Sequence, residues 1–208
     1  MNLKNYQEMQ KVSRHLSEEI PKLYSFEKIV PKIARLLGIK HGKNIVFESE
    51  EEMNFIIDFY LNEYDNDGRT FLEQYREEHP DLDPQQIVYL DAAKNSRTSF
   101  FKIIGLNPTE GILTVQDLLN PSEKPVDITN RSLSVTGQID FIVFSRFLTF
   151  SKFNAFSGMY AVFPDNPGLI KKHKIMKRRV KSNKDSIQSF VAAFKLNRTF
   201  GIEILTKS

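Results

Sequence analysis

The sequence predicts an α+β protein in which a helical N-terminal half packs on a small five-stranded antiparallel, barrel-like β module and C-terminal helices follow. Three observations predict it. Up to about residue 97, apolar residues recur at three- and four-residue steps, the period of an amphipathic helix. Five short runs of strand character then follow one another, separated by Asn107-Pro108, Asn120-Pro121 and Gly137, and closely spaced strands of this kind curl into a small barrel. Past residue 166 the helical period returns. The expected regions are 1–97, acidic and helical; 98–165, the β module; and 166–208, a basic helical tail with a possible final strand.

Tyr6, Met9, Leu16 and Ile20, joined by Val12, form one stripe that Pro21 is expected to interrupt. Phe26 to Leu37 gives a second helix ending at Gly38, a favoured left-handed cap. Pro31 either kinks this helix or marks its start. Asn44 to Phe47 is a brief extended run, and Ser49 with Glu52 has the spacing of a capping box, so a helix is expected to begin there and bury Phe55, Ile56, Phe59 and Tyr60. The chain turns at Asn66-Asp67-Gly68 and continues as a helix through Phe71, Leu72 and Tyr75. Asp83-Pro84 repeats the start signal for a helix to about Asn95.

The strand candidates are Ser99 to Leu106, Gly111 to Leu119, Val126 to Thr129, Gln138 to Phe150 and Phe153 to Phe163. The fourth is apolar on both faces, with Ile139, Phe141 and Val143 alternating with Ile142 and Phe144. It should therefore be the central strand, covered on both sides, the helical half being a candidate cover. A helix from Pro167 to about Val180 carries the narrow stripe Leu169, Met176 and Val180. Another buries Ile187, Phe190, Val191 and Phe194, and Gly201 to Leu205 is the candidate final strand.

The 208 residues include 17 Phe but no Trp and no Cys. Disulfides, thiolate nucleophiles and the usual structural zinc sets are thereby excluded. The first ten residues lack the apolar stretch of a secretory signal, and no apolar run reaches the length of a membrane span. The expectation is a cytoplasmic protein without membrane association.

Charge is strongly sorted within a net of +3. Between Glu48 and Asp91 stand fourteen acids against only Arg69 and Arg76, whereas Lys171 to Lys184 holds eight cations and no acid. Basic clusters attract phosphate backbones through Coulomb attraction and counterion release. Lys171, Lys172, Lys174, Lys177, Arg178, Arg179 and Lys181 are the candidate nucleic-acid contacts, with Arg146 and Lys152 extending the surface. The competing explanations are a solvated helix face and pairing with the chain's own acids. Phe144, Phe147, Phe150, Phe153 and Phe156 alternate with those two cations in a pattern that stacks single-stranded bases if exposed and fills the core if buried. Phe150 and Phe153, beside the turn at Ser151-Lys152, are the candidates for exposure.

Glu63, Asp65, Asp67 and Gly68 imitate the opening of a calcium loop, but Gln74 stands at the twelfth position, where a bidentate Glu is needed. His15, His41, His79 and His173 show no metal-ligand spacing. No Walker loop, G-x-G-x-x-G or G-x-S-x-G occurs. No cofactor and no metal is expected.

The runs Phe55 to Tyr60, Asp67-Gly68-Arg69-Thr70-Phe71-Leu72-Glu73-Gln74-Tyr75, Ser99 to Ile103 and Gly111 to Leu119 resemble a poorly characterised group of bacterial proteins. In that group a D-G-R-T-containing helical part precedes a short β module with an L-x-D-L-L-like segment. The resemblance covers residues 45 to 163 and implies no activity. Some members end in a cysteine-rich zinc tail like that of SecA, which this chain lacks.

The leading expectation is a non-enzymatic nucleic-acid-associated or regulatory protein acting through its basic C-terminal helix. The alternative is a protein-protein adaptor, or a self-associating protein, whose acidic surface around Glu50, Glu51, Asp65 and Asp67 meets a basic partner. A third reading, a metal-assisted hydrolase, requires Asp58, Glu63, Asp65 and His79 to converge.

Overall fold

The computed structural model describes residues 3–64 and 66–202. It divides into two compact units, one from Lys4 to Ser96 and the other taking in Leu3 and the chain from Arg97 onward. No helix among the described residues is long and apolar enough to cross a membrane.

The first unit is helical. In α1 (Leu3–Leu23) the stripe Tyr6, Met9, Val12, Leu16 and Ile20 is buried as the spacing predicts, but the helix runs through Pro21. Proline there removes one backbone bond near the helix end, and the fully buried Leu16 and Ile20 hold the last turn in place. Tyr24 and a left-handed Ser25 (φ 51°) turn the chain into α2 (Phe26–Leu37), which starts before Pro31 and carries that residue in its interior. Gly38 (φ 83°) ends α2 as expected, and the amide of Ile39 closes on the Ala34 carbonyl at 2.9 Å. A two-residue ribbon, β1 (Lys40–His41) and β2 (Asn44–Ile45), leads to α3 (Glu52–Asn62).

α3 starts where expected, though by a different device. Its N-terminal flank has no side-chain cap at Glu51, and the buried carboxylate of Glu52 accepts the backbone N–H of Glu48 at 3.0 Å. Full capping boxes form instead at Thr70 and Glu73, opening α4 (Phe71–Glu78), and at Asp83 and Gln86, opening α5 (Pro84–Lys94). An aromatic column organises this unit: Phe71 stacks on Tyr60 at 4.3 Å, on Tyr24 at 5.6 Å and on Tyr64 at 5.8 Å. Tyr75 donates to Glu19 and Tyr24 donates to Glu78, which ties α1 and its exit turn to α4.

The second unit is built on a closed barrel of five strands in the order β3-β4-β5-β7-β6. These are β3 (Arg97–Asn107), β4 (Ile112–Asp117), β5 (Val126–Thr129), β6 (Ile142–Thr149) and β7 (Asn154–Phe163). Four neighbour pairs are antiparallel, but β5 and β7 run parallel through Ile128 opposite Asn154 and Thr129 opposite Ala155. The barrel is therefore mixed rather than wholly antiparallel. A short helix between β5 and β6 reverses the chain direction and so sets up that pairing. This is α6 (Arg131–Thr136), opened by the Asn130 side chain accepting the Leu133 amide at 2.9 Å.

Phe101, Ile103, Leu113, Val115, Ile128, Leu133, Val143, Phe147, Phe156 and Val162 fill the interior. β6 is buried on both faces, as its sequence predicts. Its outer ring Phe144 meets Phe190 of α8 (Asp185–Phe200) at 6.0 Å, so the C-terminal helix supplies cover. Most of the Phe-rich stretch is thus core, including Phe150, which is 8% exposed and stacks on the half-buried Phe153 at 4.8 Å. The expected last strand is represented by Ile202, whose amide bonds the Val162 carbonyl at 2.8 Å; Gly201 ends α8, and 203–205 lie outside the described residues.

Candidate nucleic-acid interface

The basic segment forms α7 (Leu169–Lys177) and the irregular link that follows it, so the helix is shorter than the span to Val180 that its sequence predicts. Leu169 and His173, four residues apart, are the fully buried pair of α7. Residues at that spacing share one face of a helix. Lys171, Lys172 and Lys174 fall off this face and are exposed, and Arg178, Arg179 and Lys181 are exposed in the link. Met176 and Val180, expected to be part of the stripe, are only half-buried.

Not every cation in the run is uncommitted. Lys177 pairs with Asp185 at 2.6 Å, and the ammonium of Lys172 lies 3.9 Å from the centre of the Phe200 ring. Among the described residues no carboxylate pairs with Lys171, Lys174, Arg178, Arg179 or Lys181. Among the described residues, five like charges thus stand in water without a carboxylate countercharge, an arrangement that self-repels and raises the local concentration of anions.

The two proposed extensions of this surface do not join it. Arg146 is 4% exposed, on a face of β6 shared with the buried Ile142, Phe144 and Leu148, and it has partners within the fold. Its guanidinium is not offered to a ligand. Lys152 is exposed, but it sits at the β6–β7 turn, whereas α7 leaves from the far end of the ten-residue β7. Those points are roughly 30 Å apart along the strand.

The acidic candidates are scattered too. Glu50, Glu51 and Asp67 are exposed, but the first two precede α3 and Asp67 follows it. The eleven residues of α3 separate them by about 16 Å along the axis. Asp65 lies outside the described residues. Asp58 and Glu63 are buried at 5% and 6% exposure, each with partners, and His79 Nδ1 lies 2.9 Å from the Tyr75 carbonyl. Among the described residues no group of three His, Asp or Glu side chains is placed to hold a metal ion, so the convergence a metal-assisted hydrolase requires is not found there.

Two sites escaped the sequence reading. His173 is 1% exposed, edge-on to Phe100 at 4.9 Å, with Nε2 3.1 Å from the Ser189 carbonyl and Nδ1 without a hydrogen-bond partner. Burial pushes its pKa below the ordinary histidine value. The Ser189 carbonyl opposes that shift, and the Lys177 charge adds to it. The signal available in the sequence was the four-residue step from Leu169.

The second is a knot around Asp117, which is 4% exposed at the end of β4. Its carboxylate accepts from Ser99 Oγ at 2.5 Å, the amides of Leu119 and Asn120 at 2.9 and 3.1 Å, Asn120 Nδ2 at 3.0 Å and Arg97 at 3.2 Å. Burial raises this carboxyl group, but the donors from Ser99, Asn120 and Leu119 outweigh it and hold the group below its usual value. Every contact there is internal, which suits the closing of a barrel end rather than chemistry on a substrate.

A family of unknown function, DUF7986, matches the chain over residues 1–207. The chain belongs to that family. No curated protein and no solved structure matches it. In this DUF7986 protein the D-G-R-T segment has local structural roles. Asp67 (φ 55°) and Gly68 (φ 86°) are the central residues of a tight turn closed by Asn66 and Arg69, Arg69 pairs with Glu77, and Thr70 caps α4.

Proposed function

We propose that this DUF7986 protein is a non-enzymatic binding protein whose α7 and following link engage the phosphate backbone of a nucleic acid. The observation that carries the reading is the exposure of Lys171, Lys174, Arg178, Arg179 and Lys181 without carboxylate partners among the described residues. Phosphate contacts position a nucleic acid without reading its sequence, so the expected binding is strong at low salt and indifferent to sequence.

The barrel sharpens where contact is expected. β6 returns to pair with β3, giving the spatial order β6-β3-β4-β5 of a Greek key, the arrangement of OB-type barrels, which bind oligonucleotides on the face of their second and third strands. Here that face carries Thr114 hydrogen-bonded to Asp127, with Gln116 beside them. Neither strand turns a cation or ring outward there, and the neighbouring Lys102, opposite Gln116 on β3, is engaged by Asp140 and Asp165. The face therefore offers little phosphate neutralisation or base stacking, which favours α7 over the barrel as the contact. The test is a mobility-shift titration with duplex and single-stranded oligonucleotides of unrelated sequence, run on the native chain and on the double variant Arg178→Glu, Arg179→Glu. Comparable weakening for all sequences supports the reading, and retention of full affinity by the variant overturns it.

A further inference from the structure

We propose that His173 is a proton-operated latch whose protonation unseats α7 from α8 and from the barrel wall. This goes beyond the nucleic-acid reading and does not depend on it. The neutral ring satisfies one nitrogen, Nε2, at the Ser189 carbonyl and leaves Nδ1 bare against its surroundings. A bare acceptor is tolerable, but an imidazolium has two N–H donors, and the second has no acceptor within reach in a site 1% exposed. A buried charge without full hydrogen bonding is strongly disfavoured.

The charges around the ring do not relieve this. From its own helix it faces Lys174 and Lys177, both repulsive to a cation. From α8 it faces Asp185, which is 83% exposed and already engaged by Lys177. From β3 it meets only the neutral ring of Phe100. The protonated form is therefore stable only after the side chain leaves its pocket.

The anchoring of the two helices makes the release selective. α7 holds on through two fully buried side chains, Leu169 and His173, whereas α8 buries Ile187, Ser189, Phe190, Val191, Ala192, Ala193, Phe194 and Leu196. Loss of His173 removes one of the two fully buried anchors of α7, leaving Leu169 and the contacts of Lys172 with Phe200 and Lys177 with Asp185, whereas the buried face of α8 stays in place. The folded protein binds the proton less readily than the free chain, so seating is complete above the ordinary histidine value and is lost as pH falls below it through the folded value.

The test is amide exchange on the full chain, expressed as protection factors for residues 169–177, 190–196 and 142–149 from neutral pH down to about pH 5, together with NMR titration of the His173 ring. The expected result is loss of protection in α7 alone, in step with ring protonation. His173→Phe, which retains the contact with Phe100 and cannot be charged, is expected to keep α7 protected throughout. Constant α7 protection in the native chain while the ring titrates overturns the proposal. So does simultaneous loss in α7, α8 and β6, or a His173→Phe variant that still releases α7 on acidification. Should His173→Phe not fold, the native-chain comparison decides alone.

Discussion

Replacing Lys174, Arg178 and Arg179 by Gln puts a number on the phosphate-contact reading. The native chain presents five exposed cations that have no carboxylate partner among the described residues. If each meets one phosphate, log K falls with log salt at a slope of about −4.5 for duplex DNA and about −3.5 for a single strand. Raising salt from about 50 to 200 mM then weakens duplex binding roughly 500-fold and single-strand binding roughly 130-fold. The triple variant keeps two contacts, a duplex slope of about −1.8 and only about a 12-fold loss over the same interval. Fluorescence anisotropy of labelled oligonucleotides of unrelated sequence, repeated across salt, measures the slopes directly. Among the described residues the three side chains have no carboxylate partner, so unfolding transitions of native and variant proteins should coincide and isolate the binding effect. An unchanged slope in the variant, or affinities that differ by orders of magnitude between sequences, would refute the reasoning.

The remaining predictions concern the scaffold. Asp117→Ala leaves the donors of Ser99, Asn120 and Arg97 without their acceptor and should cost about 3 kcal/mol in urea unfolding at neutral pH. Because the folded-state pKa of Asp117 lies below its ordinary 3.8, its contribution is present above that value. It should fade as pH falls below 3.8 through the folded value, so native and variant stabilities converge in acid. Thr70→Ala removes one side of a capping box and should lower stability by about 1 kcal/mol in thermal unfolding. Gly68→Ala adds a methyl group that meets nothing within 4 Å, yet φ is +86°. A loss of about 1–2 kcal/mol in the same measurement would locate the cost in the backbone rather than in packing.

The strands were legible because period and burial agree along them. In β4 the alternation of half-buried Ile112 and Thr114 with buried Leu113 and Val115 can be read from the residues alone, whereas the burial of Asp117 cannot. The continuous apolar character of β6 likewise announces burial on both faces. The parallel β5–β7 pair was not legible, since it joins Ile128 to Asn154 across an intervening helix and hairpin, and no local pattern encodes such a partner. α6 carried a readable sign, Asn130 before Leu133, within a helix too short to show a period.

At the candidate site the charge run was visible, whereas the fate of single cations was not. Arg146 looks like a surface residue by type, although counting alternate positions from Ile142 through Phe144 to Leu148 places it on the buried outer face. Lys177 and Lys172 each find a partner, Asp185 or Phe200, that only the return of α8 beside α7 provides. Pro21 shows the converse, a local helix breaker overruled by the burial of Leu16 and Ile20 around it.

The seam between β5 and β7 rests on two residue pairs, Ile128 with Asn154 and Thr129 with Ala155. The other neighbours within the barrel are joined over longer registers, so this is where the cylinder is thinnest. Sealed, it leaves no strand rim on which another chain could template itself. Parted, it would bare the backbone groups of both strands at once, and a second molecule in the same condition could complete the missing pairing by exchanging its β6–β7 hairpin.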